Sequence, residues 1–266
     1  MDGIVDAASL GASPDAEPAD SWPGLAAAVA ARGIGITPGQ VERLLAYRDL
    51  LLAWNERFNL TAVRESEAAE RVLLLDSLLM LPAIDEAAAA SGLRRPSLID
   101  IGSGGGLPAI PLAICRPDLD ITLVEATGKK VRFLDQAARE LGLSGVRAIA
   151  ARAEDLARDP AERERYDLAT ARAVASLPAL IELATPFLRE GGVALFPKGR
   201  AIEDELAAAR TACRELGCQV ASAATLPGGE TMLVTVVKTG PTSARYPRRS
   251  GIPARQPLGL SGGAGR

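Results

Sequence analysis

The chain has 266 residues and a mass of 27.6 kDa, enough for one well-packed main domain with a smaller appendage. Hydrophobic residues make up 48% and charged residues 24%, with a formal net charge of −3, the balance of an ordinary globular protein. It contains no histidine, which excludes mechanisms that need an imidazole base or ligand: Ser-His-Asp and Cys-His hydrolases, HExxH metalloproteases and histidine-ligated haem.

Three cysteines, Cys115, Cys213 and Cys218, cannot build a disulfide framework or, without histidine, an ordinary zinc site. Ordinary thiols and no metal are expected. No run of 18 apolar residues occurs, so no membrane span is expected. The first 20 residues carry five acids and no base, the reverse of a secretory leader, and a cytoplasmic protein is the expectation. Charge is unevenly placed: Thr231 to Arg266 holds six basic and no acidic residues. A basic tail on an acidic body can meet a phosphate backbone. Aromatics at 3% argue against recognition built on stacking platforms.

In chain order, residues 1–21 read as a disordered acidic tail. Residues 22–92 read as a helical subdomain. Thr37-Pro38-Gly39-Gln40 fits a helix N-cap with Pro at the first helical position and Gln at N3. Val41, Leu44, Leu45, Leu51, Leu52 and Phe58 then recur at helical spacing. A second helical stretch is predicted over 68–81, ending at Pro82. Residues 93–240 alternate short apolar runs with helical ones, which predicts an α/β fold with a mostly parallel sheet. The strands expected are 97–101, 121–124, 146–150, 166–170 and 193–196, with helices at 108–115, 129–141, 177–188 and 202–216. Segments 218–223 and 232–237 have no helix between them and are expected to close the sheet as an antiparallel hairpin. Residues 241–266 read as a basic C-terminal tail.

The densest information lies at Asp100-Ile101-Gly102-Ser103-Gly104-Gly105-Gly106-Leu107-Pro108. A strand runs into a glycine-rich turn that opens a helix, so backbone can approach a ligand and helix N–H groups face it. The spacing is D-x-G-x-G-x-G, and Leu107 stands where the dinucleotide fingerprint requires glycine. This disfavours a nicotinamide dehydrogenase. Asp100 would repel a pyrophosphate but hold a cationic amine, which favours a ligand such as S-adenosylmethionine. Glu125, at the tip of the second strand, can accept both ribose hydroxyls of an adenosine. Ala153-Glu154 follows the third strand, where the adenine would lie by analogy of fold.

With these residues in view the chain resembles the glucose-inhibited division protein B family of 16S rRNA guanine-N7 methyltransferases, over roughly residues 38–258. Trp54-Asn55, Asn59-Leu60-Thr61 and Arg64 match the family's W-N-x-x-x-N-L-T-x-x-R. Asp100 to Pro108 matches D-x-G-x-G-x-G-L-P, and Gly128-Lys129-Lys130 with Phe133-Leu134 matches G-K-K/R-x-x-F-L. Ala171-Arg172-Ala173 resembles S-R-A, Lys198-Gly199 carries the K-G, and Tyr246-Pro247-Arg248 with Gly251 and Pro253 resembles Y-P-R-x-x-G-x-P. Two positions depart: Leu73 replaces the histidine of H-x-x-D-S, and Ala171 replaces the serine of S-R-A.

The resemblance implies a class I S-adenosylmethionine-dependent methyltransferase with a helical N-terminal extension. Its target would be N7 of a guanosine in the 530 loop of 16S rRNA, on the free RNA or the small ribosomal subunit. The cofactor-contact positions would be Gly102, Leu107, Ala153, Glu154 and Arg172, beside Asp100, Gly104, Gly106 and Glu125. Asn59 and Lys198 would shape the base pocket, with Asp76 near the purine. Arg64, Lys129, Arg132, Arg245, Arg248 and Arg249 would meet phosphates, while Trp54 and Phe58 pack the helical subdomain. Guanine N7 carries a lone pair and no proton, so the reaction suits a chain without histidine. A monomer is expected. Two other readings are a small-molecule methyltransferase, which would need no basic tail, and a catalytically silent S-adenosylmethionine-binding protein.

Overall fold

A computed structural model describes residues 22–172, 175–199, 202–228 and 231–260. The acidic tail at 1–21 lies outside the described residues. Seven strands form one sheet: β1 (Ser97–Ile101), β2 (Asp120–Glu125), β3 (Val146–Ala150), β4 (Tyr166–Thr170), β5 (Leu188–Lys198), β6 (Cys218–Thr225) and β7 (Met232–Lys238). Their order is β3-β2-β1-β4-β5-β7-β6. The first five run parallel, and β7 lies antiparallel between β5 and β6. This is the expected mostly parallel sheet, closed by the antiparallel hairpin that the missing helix implies.

Nine helices are given labels: α1 (Leu25–Ala30), α2 (Pro38–Phe58), α3 (Leu81–Ser91), α4 (Ala109–Cys115), α5 (Gly128–Glu140), α6 (Ala153–Leu156), α7 (Leu177–Ala184), α8 (Glu203–Leu216) and α9 (Ile252–Arg255). Strand alternation sends successive side chains to opposite faces, and two cores result. Leu98, Leu168 and Leu195 face the helical subdomain, α4 and α5, whereas Ile99, Ala169 and Ala194 face α7 and α8. Both faces are covered, which is why β4 is buried along its whole length.

The start of α2 is built as expected. The Thr37 N–H donates to Gln40 Oε1 at 2.8 Å, and the Gln40 N–H donates to Thr37 Oγ1 at 3.3 Å, so each helix-end donor gains a partner. Leu44, Tyr47, Leu51 and Asn55 then form the buried stripe of α2, which lies against α4 and α5.

Several elements differ from expectation. The stretch predicted as one helix over 68–81 is a π-helix, Ala69–Leu75, between single α-helical turns at Ser66–Ala68 and Asp76–Leu78. Pro82 lies in the first turn of α3 instead of ending a helix, because proline lacks only an N–H that the first turn leaves unpaired anyway. The helix predicted over 177–188 stops at Ala184, where Pro186 gives way to one 3-10 turn, Thr185–Phe187. β5 also starts five residues before the expected 193, carrying Gly191-Gly192 opposite an irregular register with β4. The segment after β7, read as a basic C-terminal tail, packs against the sheet domain through Thr242, Arg248 and Leu258.

Candidate functional site

In an open α/β sheet, ligands bind beyond the carboxyl ends of the strands where the order reverses. Here that point lies between β1 and β4, and a cleft of about 840 Å³ opens there, within the usual size of a small-molecule site. Every parallel strand contributes to it: Gly102, Ser103, Gly104 and Gly105 after β1, Glu125 at the end of β2, Ala153 and Glu154 after β3, Arg172 after β4 and Lys198 at the end of β5.

The glycine-rich turn is held from both sides. Gly102, Gly104 and Gly106 have φ of 68°, 56° and 87°, left-handed values that favour glycine. A Cβ on Gly106 would lie 2.5 Å from Ile110 Cγ1, and one on Gly105 would lie 2.9 Å from Leu51 Cδ1. The turn is therefore wedged between α4 and α2. The buried Tyr47 hydroxyl fixes it further by donating to the Gly105 carbonyl.

Glu125 ties the turn to the next loop. Its Oε2 accepts the Gly104 N–H at 3.1 Å and its Oε1 accepts the Thr127 N–H at 2.8 Å. Each carboxylate oxygen keeps a further lone pair, so Glu125 can still receive hydroxyls from the cleft.

Asp100 is placed differently from expectation. Strand alternation puts it on the face toward the helical subdomain, fully buried beneath the turn and not on the cleft wall. One oxygen accepts the Thr170 hydroxyl at 2.8 Å, and Oδ2 has no partner. Burial pushes the Asp100 carboxyl up to about 6, against the opposing pull of Thr170, Ser103 and Arg172.

Arg172 is a largely buried charge in the wall. Among the described residues it forms no hydrogen bond or ion pair. Burial lowers its basicity, opposed by the charges of Tyr47, Asp76 and Asp100. Asp76 faces the same cleft. Its Oδ2 accepts the Thr231 hydroxyl at 3.2 Å, and burial raises its pKa, with Thr231 and Arg172 opposing.

Lys198 lines the cleft, ion-paired to Glu205 at 2.8 Å and donating to the Ala175 carbonyl at 3.1 Å. Leu107 is also in the wall. So is Leu73, on the π-helix, presenting an apolar side chain where the resembling family has histidine.

Asn59 is not in the wall. It is the exposed left-handed cap of α2 at φ 47°. Its neighbours Leu60, Thr61 and Ala62 line the cleft instead, held by Asn55, which donates to the Val63 carbonyl at 3.1 Å and accepts the Thr61 N–H at 2.9 Å. Lys130, Thr231, Gly251 and Ala254 also line the cleft. Sequence reasoning did not assign these as site residues, although Leu60, Thr61, Lys130 and Gly251 fall inside or beside its motifs.

The basic positions divide into two groups. Arg64, Lys129, Arg132 and Arg249 are exposed, Lys129 lying over the Phe58 ring at 5.7 Å. Arg132 faces a second groove shared with Trp54 and Arg139. Arg245 instead pairs with Glu215 and lies over the Tyr246 ring. Arg248 is bound to the buried carboxylate of Glu182 at 2.6 Å. These two do not stand free for phosphate, because acids distant in sequence have taken them.

Comparison with known proteins agrees with this geometry. The profile of the GidB family, rRNA small subunit methyltransferase G, matches residues 40–234. A ribosomal RNA small subunit methyltransferase G from Chloroflexus aggregans is 48% identical over 229 residues, covering 85% of this chain and 93% of that protein. The proteins of the same name from Roseiflexus sp. and Moorella thermoacetica are 45% and 41% identical, each match covering 85% of this chain and 95% and 93% of the relative. These matches run through both the helical subdomain and the glycine-turn cleft, and they make the chain a member of the rRNA small subunit methyltransferase G family.

Proposed function

We propose that the protein methylates N7 of a guanosine in the 530 loop of 16S rRNA with S-adenosylmethionine, acting as a monomer in the cytoplasm on the small ribosomal subunit or its RNA. The observation that carries this reading is the cleft itself: a largely buried guanidinium with no partner among the described residues, a glycine turn closed to side chains at Gly105 and Gly106, and the carboxylates of Asp76, Glu125 and Glu154 line one cleft.

These residues fit the cofactor. Arg172 can take its carboxylate in charge-assisted bonds. The unpartnered Oδ2 of Asp100 makes the ground beneath the turn favourable to a cation, and the ammonium group would lie above it. Gly102, Gly104 and Leu107 would form the floor, with Gly106 packed behind it against Ile110; Glu125 would accept ribose hydroxyls, and Ala153 with Glu154 would flank the adenine. When bound, S-adenosylmethionine supplies an electrophilic methyl group on a sulfonium sulfur.

The chain's own work is positional. Guanine N7 attacks through an in-plane lone pair and loses no proton, so no side chain need act as a base. Holding base and cofactor in line accounts for several kcal/mol of rate through orientation alone. Lys198, anchored by Glu205, shapes the base side of the cleft beside the Leu60–Thr61 loop, with Asn59 at the loop's outer edge. Asp76 sits where the purine becomes cationic, and a fixed carboxylate there stabilises the charge as it develops. Arg64, Lys129, Arg132 and Arg249 meet phosphates.

The test uses small subunits that lack the 530-loop methyl group. They are incubated with purified protein and S-adenosylmethionine, and N7-methylguanosine is mapped by reductive aniline cleavage. One new cleavage in the 530 loop is the expected result. Bound cofactor with no cleavage would sink the assignment of substrate.

A further inference from the structure

The chain after β7 returns across the sheet domain and is fastened there by a series of contacts, of which those from Thr242 to Gly251 matter most here. Arg163 donates to the carbonyls of Thr242 at 2.8 Å and Tyr246 at 3.0 Å. Arg248 meets Glu182 of α7 with its backbone N–H at 2.8 Å and its guanidinium at 2.6 to 3.1 Å. The Ser250 hydroxyl donates to Asp155 at 3.1 Å, and the Gly251 N–H donates to Glu154 Oε1 at 2.7 Å. Immediately beyond, Gly251 and Ala254 form part of the cleft wall.

Glu182 is 0% exposed. A carboxylate so placed must be paired, and Arg248 reaches it in two-pronged fashion, the geometry that fixes orientation as well as position. An arginine reserved for a phosphate backbone would be solvated and unpaired, as Arg249 is.

We propose that Arg248 is a positioning residue of the cofactor site and not a phosphate contact. Through Glu182 it seats residues 250–254 against Glu154 and so builds the wall at the Ala153–Glu154 end of the cleft. This rests on the reading of the cleft as the S-adenosylmethionine site. Without the clamp, binding would have to order the strap, and that ordering would be subtracted from affinity. The loss belongs to cofactor binding and not to RNA binding.

Calorimetric titration of the full chain with S-adenosylmethionine tests it, alongside RNA binding over a series of salt concentrations. Arg248→Ala should weaken the cofactor by about tenfold, as loss of preorganisation does, and leave the slope of log RNA affinity against log salt unchanged. The double variant Arg248→Ala/Glu182→Gln buries no lone charge and should show the same loss, which separates clamp from misfolding. Unchanged cofactor affinity in the double variant, or a salt slope shallower by about 0.7 to 0.9, would overturn the proposal. On the unaltered protein, S-adenosylmethionine should slow tryptic cleavage after Arg249 and Arg255, and equal rates with and without it would also overturn it. If the unaltered protein fails to bind S-adenosylmethionine at all, it is the reading of the cleft that falls.

Discussion

Asp100 carries an ordinary carboxyl into a place where charge is costly, and its pKa near 6 has a defined effect on stability. Above pH 6 the folded protein holds a buried charge. As pH falls through 6 toward 4 the folded state takes up a proton that the unfolded chain does not, so this group adds stability on acidification. Relative to Asp100→Asn, the protein without cofactor should gain about 1 kcal/mol between pH 7.5 and 5.0. Urea denaturation at both pH values checks this, and parallel changes in the two proteins would refute it. Arg172 makes the complementary case: its charge is largely buried and has no direct partner among the described residues. Arg172→Ala should therefore cost the fold little while weakening S-adenosylmethionine by about tenfold to a hundredfold, the worth of a charge-assisted contact, as read by calorimetry.

At the scale of elements, legibility tracked how local the signal was. The capping box of α2, the apolar runs of β1 and β4 and the glycine turn are each written within a few neighbouring residues, and each stands where it was read. The π-helix at Ala69–Leu75 has no such local mark. It is held by Glu70, which accepts the Trp22 indole N–H at 2.9 Å and pairs with Arg48, partners 48 and 22 residues away. Wide turns of this kind recur at functional sites, and this one presents Leu73 to the cleft with Asp76 directly after it. Glu70→Ala should lower unfolding free energy by about 1 to 2 kcal/mol, since it leaves the Trp22 indole N–H without its acceptor while Arg48 keeps Asp49, measurable by urea denaturation. The arginines of the C-terminal strap misled for the same reason: their carboxylates lie on α7 and α8, beyond the reach of any reading by composition.

For the molecule as a whole, an acidic body must approach an acidic polymer. The exposed cations Arg64, Lys129 and Arg132 lie on the helical subdomain and α5. The triple variant Arg64→Ala/Lys129→Ala/Arg132→Ala should weaken RNA binding evenly across sequences and reduce the salt slope by about 2 to 3, one increment per phosphate released. A slope identical to that of the parent would place the RNA elsewhere. The cleft was legible as a glycine turn and an acidic strand tip, but its outer walls were not, because they come from residues 60–62 and 251–254.

That distance has a temporal consequence. Synthesis proceeds from the N-terminus, so a nascent chain can lay down α2 and all seven strands before Gly251 and Ala254 leave the ribosome. Such a chain would have its sheet and its glycine turn, yet its cleft would stay open at one end. Competence for the cofactor would then arrive last, and a chain cut short between Lys238 and Gly251 would keep its sheet yet lack one wall of the cleft that holds its methyl donor.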